Sequence, residues 1–300
     1  MLVLNGPHTK IGVVFSICSH VFKVAVKALS GALVDGVGVT VLYEESPLAR
    51  QRAEWRAQAL ANFPFEIVET KGESAFATWQ ELKAAGRGAP VVVGTDVGNV
   101  LEPFHPQWPR RSVAECFSAA SAINFPEDLF RMRLDQRAAA LAAPHEYHPA
   151  YPAYRLEDEH EAPLGDWPTE ESRSTGLSIA HDLMTGEPFP KVYIVLVPTN
   201  DSTTIPAHLH WGSWNECPAP EYHVAALRHW RDTYGAELVG LGRDTIDLKV
   251  ARKPATRDEA IQLARVQYAY CNDIVDQGTG SYSVLAAGLM AHDWWFFWWD

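Results

Sequence analysis

Cysteine is scarce in this chain: four residues in three hundred, at Cys18, Cys116, Cys217 and Cys271. They are scattered and none forms a C-x-x-C pair, which excludes a disulfide scaffold and the paired-thiol redox or zinc motifs. Reduced thiols in a cytoplasmic setting are the expectation. Basic residues are also in the minority, 25 Lys and Arg against 37 Asp and Glu, for a net charge of -12. That balance argues against nucleic acid, whose binding draws on lysine and arginine at phosphates, and against an anionic membrane surface. Long apolar runs are missing. The nearest is Ile11 to Cys18 after Lys10, but His20, Lys23, Lys27 and Asp35 interrupt its continuation, well short of the roughly 20 apolar residues of a span. Gly94-Thr-Asp-Val-Gly98 comes after an apolar strand yet lacks both G-x-G-x-x-G spacing and the P-loop lysine, so no nucleotide or other cofactor is expected. No internal repeat is present.

Aromatic residues, by contrast, are abundant at one end. Residues 293–300 read Asp-Trp-Trp-Phe-Phe-Trp-Trp-Asp. Left in water, six consecutive large rings would be an aggregation hazard, so the segment is expected to dock as an interior sheet element.

Hydrophobic periodicity organises the rest. Strands are expected at residues 39–43, 65–69 and 90–94, alternating with helices at 47–62 and 73–85. In the second helix Ala75, Trp79 and Leu82 share a face. Strands and helices of these lengths in alternation favour a parallel β-α-β-α-β unit. Ser112-x-x-Glu115 is a capping box that opens a helix, and Pro126 begins another reaching about 142. Residues 144–173 are rich in proline, tyrosine and acid, including Glu157-Asp-Glu-His-Glu161, and read as a linker or long loop with a solvated charge cluster.

After it, residues 192–197 are apolar at both parities, as a central strand is. Pro220 opens a helix that ends at Gly235, and residues 237–241 and 245–250 form a hairpin. In its second arm Ile246, Leu248 and Val250 face one way, with Thr245, Asp247 and Lys249 opposite. Thr256-x-x-Glu259 caps a helix whose expected buried stripe is Ile261, Ala264, Tyr268 and Cys271. The fold class is therefore α/β, with an α+β C-terminal half: an N-terminal parallel unit plus a mixed sheet covered by helices. The expected divisions are a lead-in at 1–37, an α/β region at 38–143, the linker at 144–173 and a C-terminal domain at 174–300.

The second half also carries a specific pattern. Trp211-Gly-Ser-Trp-Asn-Glu-Cys-Pro218, His229-Trp-Arg-Asp-Thr-Tyr-Gly-Ala-Glu237, Ala269-Tyr-Cys-Asn-Asp273 and Trp294 through Asp300 resemble the bacterial domain of unknown function 4253. The resemblance runs from about residue 192 to residue 300, and residues 72–94 resemble the less regular region that accompanies this domain. It implies a bacterial origin and an α/β unit, and brings no activity or catalytic residue. His208 and His210 lie outside the pattern.

The densest set of reactive side chains is His208-Leu-His210-Trp-Gly-Ser-Trp-Asn-Glu-Cys-Pro218 with His223. On an extended segment His208 and His210 would point the same way and, with a nearby thiolate and carboxylate, could begin a zinc shell; no second ligand pair completes it, so a metal is not expected. Cys217, just before a helix opened by proline, is placed where the helix dipole lowers a thiol's pKa, and His223 or His229 would be its base. Opposed to both is an irregular loop in which Trp211 and Trp214 plug the core and Asn215 bonds backbone. The candidate binding residues are Trp211, Trp214, Asn215, Glu216, Trp230, Asp273 and Asp300. With no complete catalytic set, the sequence reads as a non-catalytic protein-binding module of interaction or immunity type. The alternative is a hydrolase-like enzyme using Cys217 or a metal held around His208, His210, Cys217 and His223.

Overall fold

A computed structural model describes residues 47–108, 110–142, 162–170 and 174–300. The strand expected at 39–43, the lead-in at 1–37 and the acidic cluster at 157–161 lie outside the described residues. Within them run α1 (Pro47–Ala61), β1 (Glu66–Thr70), α2 (Ala75–Ala85), β2 (Ala89–Gly94), α3 (Val113–Ala122), α4 (Glu127–Ala142), β3 (Val192–Val197), α5 (Ile205–Leu209), α6 (Pro220–Tyr234), β4 (Glu237–Leu241), β5 (Thr245–Lys249), α7 (Arg257–Tyr270), α8 (Tyr282–Ala291) and β6 (Trp294–Trp298). The protein is a mixed α/β structure built on one six-stranded sheet of order β1-β3-β2-β4-β5-β6.

Of the expected parallel β-α-β-α-β unit, the first strand lies outside the described residues and the other two do not pair with each other. β3 inserts between β1 and β2 and pairs antiparallel with both, so these two strands share a direction but never touch. The reason is burial on two faces. Val91 and Val93 point into one apolar layer and Val92 into the other, and β3 divides Val195 and Val197 from Val192, Ile194 and Leu196 in the same way. Such strands need neighbours on both sides, and each supplies the other's. Among the described residues the single parallel contact is β2 with β4. The sheet thus takes strands from both sides of residues 144–173.

Local signals hold where they depend only on neighbours in sequence. Ser112 and Glu115 form the full reciprocal capping box, with Ser112 N–H donating to Glu115 Oε2 at 2.8 Å. Thr256 Oγ1 accepts from Glu259 N–H at 3.2 Å, while the Glu259 carboxylate takes the N–H of Ala255. Gly235 ends α6 at φ 63°, a left-handed geometry that favours glycine. The stripe expected on α7 is rotated: Ala260, Leu263, Ala264, Gln267 and Tyr270 are buried, whereas Ile261 and Tyr268 are half-buried. Helices packed on both sides of α7 widen its buried arc beyond a single apolar row.

β6 is an edge strand, which corrects the expectation of an interior one. It pairs antiparallel with β5, Phe297 opposite Ile246 and Trp295 opposite Leu248. Trp295, Phe297 and Trp299 are buried beneath α6 and α7, and Trp230 stacks on Phe297 at 5.4 Å. Trp294, Phe296 and Trp298 remain half-buried on the opposite parity. Bulky rings on one face secure the segment without a strand beyond it.

Candidate functional site

Between α5 and α6 the chain makes a turn that no regular element would hold. His210, Ser213 and Asn215 all adopt positive φ, at 51°, 72° and 43°. For residues with a Cβ this conformation is costly and persists only when the surroundings impose it. The surroundings here are the aromatic tail. Trp211 is buried against Trp214 at 4.7 Å and Trp299 at 5.6 Å, and its indole N–H donates to Gly242 O at 2.8 Å. Asn215 donates from Nδ2 to Asp300 O at 2.5 Å, and the Asp300 N–H donates to Asp273 Oδ2 at 3.0 Å. Gly212, at φ 119°, leaves no room for a side chain: a Cβ would lie 2.3 Å from Pro218 O and 2.9 Å from His223 Nε2. Segments about 60 to 90 residues apart thus close on one another, and Trp211, Trp214, Asn215, Asp273 and Asp300 come together.

Beneath this turn lies the thiol. Cys217 Sγ is 3.4 Å from His223 Nε2, and His223 Nδ1 is 2.5 Å from the Tyr270 hydroxyl. Nucleophile, base and orienting group are in the order that covalent catalysis uses. Their electrostatics run the other way. All three are buried, Tyr270 and His223 completely. Burial pushes the thiol's pKa far up, with the neighbouring Cys271 adding to the rise, and drives His223 down to about 3. The ground state is a neutral thiol beside a neutral imidazole; Arg133 opposes burial only at the thiol and adds to the lowering at His223. Tyr270 was not singled out by sequence. The spacing from Ala260 through Leu263 and Gln267 marks it, once the helix is counted from its Thr256 cap.

The remaining candidates scatter. His208 sits in the last turn of α5 and His210 caps that helix, so the two are not on an extended segment; Pro206, at the start of α5, opens a helical turn there instead. His208 meets the ring of Phe117 and His210 that of Phe104. Burial lowers the pKa of each. His229 packs on Phe125 at 5.3 Å and does not serve the thiol; His223 does. Trp230 is core. Glu216 offers only its backbone carbonyl to Arg133, at 2.8 Å. In the Gly94–Gly98 turn Asp96 pairs with Arg56 and accepts the Gly98 N–H at 2.7 Å, which is the work of a structural loop. Among the described residues no group of three or more His, Cys, Asp or Glu stands together as a cation shell would require.

Asp247 departs furthest from its expected place. Its strand alternates as read, but the face opposite Ile246 and Leu248 is covered, not solvated. The carboxylate lies over Gly240, where a Cβ would come within 2.7 Å of Oδ2. Oδ2 accepts the Ser178 hydroxyl at 3.0 Å and the Ile179 N–H at 3.1 Å, and Oδ1 has no partner among the described residues. Burial raises its pKa to about 6, against the lowering effect of those two bonds. No sequence signal distinguishes it from a solvent-facing strand aspartate.

An open cleft of about 710 Å³ lies between α4, α6 and α7. Its wall includes Trp230, Leu263 and Val266, together with Phe130 and Leu134 of α4, which are 39% and 66% exposed. Arg133, between them in sequence, donates to the carbonyls of Ala269 at 2.7 Å, Tyr270 at 3.1 Å and Glu216 at 2.8 Å, tying α4 to the end of α7 and to the strained turn. Cations at a helix C-terminus are favourable. Sequence missed this residue because α4 has no resolved apolar stripe from which to measure it.

Among the described residues no helix is long and apolar enough to cross a membrane. No curated protein and no solved structure matches the chain. The motifs that meet at the turn, the thiol and the tail all fall within one stretch: residues 193–300 match the family described as a domain of unknown function (DUF4253).

Proposed function

We propose that the protein is a non-catalytic protein-binding module, of interaction or immunity type and acting in the bacterial cytoplasm, that engages its partner through the α4–α6–α7 cleft. One observation carries this reading: Phe130 and Leu134, one helical turn apart on α4, stand exposed on the wall of an open cleft of about 710 Å³. Large apolar side chains in a concave, partly polar site are how ligand and partner sites are built. The test compares capture of host proteins by the wild type, by Leu134→Asp and by Met184→Ser, a substitution at an exposed position outside the cleft. A partner kept by the wild type and Met184→Ser but lost by Leu134→Asp supports the reading. No capture, or capture indifferent to Leu134, ends it.

A second reading has its own observation. The Cys217–His223–Tyr270 order favours a hydrolase-like enzyme. Its weakness is access, since a substrate would have to displace the Trp211–Trp299 contact. Labelling of Cys217 by a soluble thiol reagent across pH, with elemental analysis for bound metal, separates the two. A thiol inert in the folded protein and a metal-free protein eliminate the enzyme; rapid labelling near neutral pH would restore it.

A further inference from the structure

We infer that the partner segment received by the α4–α6–α7 cleft carries a carboxylate between apolar side chains, and that this carboxylate is met by Arg133. The inference rests on the cleft being the binding surface and adds the chemistry of what enters it.

Among the described residues Arg133 is a cation without a counter-ion. Its four hydrogen bonds end on neutral oxygens: the carbonyls of Ala269, Tyr270 and Glu216, and Gln136 Oε1 at 3.0 Å. One Nη1–H is left over. None of the ion pairs among the described residues includes it. Glu216 acts on it electrostatically, but holds it through the backbone. Arg133 is half-buried, so its charge is partly desolvated, and a partly desolvated ion gains from a counter-charge. Burial lowers the pKa of this guanidinium, the mark of that desolvation.

Two more polar groups of the same wall are unmet. The Trp230 indole N–H and Asn272 Oδ1 are buried with no hydrogen-bond partner among the described residues. The remaining Arg133 N–H suits an anion; the apolar lining suits the body that carries it. With Arg133 counted, three arginines (Arg133, Arg137, Arg265) balance three acids (Glu216, Glu259, Asp276) around the cleft, so no local excess of acid repels a single carboxylate. Arginine is also the side chain best shaped for a carboxylate.

The probes are three amphiphiles with one apolar tail and different heads: decanoate, decanol and decyltrimethylammonium. Each is titrated calorimetrically into the full chain, and amide chemical shifts map where it binds. Decanoate should bind about tenfold more tightly than decanol, as expected for one charge-assisted contact, with the cation weakest and the shifts confined to α4, α6 and α7. Leu134→Ser should weaken decanoate and decanol alike. Arg133→Met should abolish the difference between them; should that variant fail to fold, the wild-type head-group series decides the matter alone. Equal binding of decanoate and decanol, or preference for the cation, overturns the carboxylate while leaving the cleft as a binding surface. Shifts elsewhere, or no saturable binding of any probe, overturn the inference outright, and capture by Leu134→Asp then judges the cleft independently.

Discussion

The Cys217–His223–Tyr270 chain and the α4–α6–α7 cleft are both built on α6 and α7, and they make opposite use of polar groups. In the first, thiol, imidazole and phenol satisfy one another behind Trp211 and Trp299, and burial holds each in its neutral form. In the second, a half-buried guanidinium lines an open cleft without an ion-pair partner among the described residues, and an indole N–H and an amide oxygen of the same wall are buried unmet. The difference teaches that reactive residue types and available chemistry are separate properties. A thiol beside an imidazole becomes a nucleophile only where the ion pair is solvated or stabilised, and the burial of Cys217 and His223 opposes that ion pair. The strained turn fits the same picture: its three positive-φ residues are held by the aromatic tail, and hold it in return.

The comparison breaks most visibly if the seal is removed. Trp299→Ala deletes a ring that touches Trp211, His223 and Tyr270, and should cost about 3–5 kcal/mol in urea unfolding. In the part of the population that remains folded, Cys217 should label faster with thiol reagents. A loss below about 1 kcal/mol would mean that the tail is not a seal.

Tyr270→Phe probes the chain from within. It leaves the His223 Nδ1 without its 2.5 Å partner in a dry site, at an expected cost of about 1–3 kcal/mol by chemical denaturation. A neutral outcome would mean that His223 finds another partner.

A third test uses two buried groups with opposite pH signs. His223 titrates near 3 when folded, below its ordinary value, so the unfolded chain binds the extra proton and stability rises with pH from about 3 to 6.5. Asp247 titrates near 6, above its ordinary value, so the folded chain binds the extra proton and stability falls as pH rises from about 4 to 6. The two slopes offset each other over that window. In Asp247→Asn only the rise remains, so the unfolding free energy should climb more steeply between about pH 4 and 6 than in the wild type. Parallel profiles would refute the buried, ionisable Asp247.

The smallest effect on stability belongs to the open region. Leu134→Ser should change the unfolding free energy by no more than about 0.5 kcal/mol, as exposed positions do, yet lose partner capture. Loss of fold instead of binding would make Leu134 a core residue and remove the contrast.

How much is legible in the sequence depends on the range of each interaction. The Ser112 cap, the Gly235 stop and the hairpin of β4 and β5 depend on residues within a few positions, and the sequence marks all of them. The stretches 211–218, 229–237, 269–273 and 294–300, all within the matched residues 193–300, are also visible, as is the need to dock the tail. Cys217 with His223 can be named as a pair, but not their burial, because six positions along a chain say nothing of what lies above them. Asp247 reads as a solvent-facing strand residue, since nothing nearby in sequence announces that Ser178 and Ile179 will cover it.

The amino-acid sequence by itself determined the elements, their caps, the acidic balance and the fact that six rings near residue 300 had to find a surface. Only the tertiary structure decided that β3 would separate β1 from β2, that the thiol would be shut in, and that Arg133 would line a cleft with no ion-pair partner among the described residues. The physical reason is that two-faced apolar strands can pair with any similar neighbour, so their order is chosen by how both layers pack at once. Whether a charge or a thiol is buried is a consequence of that choice.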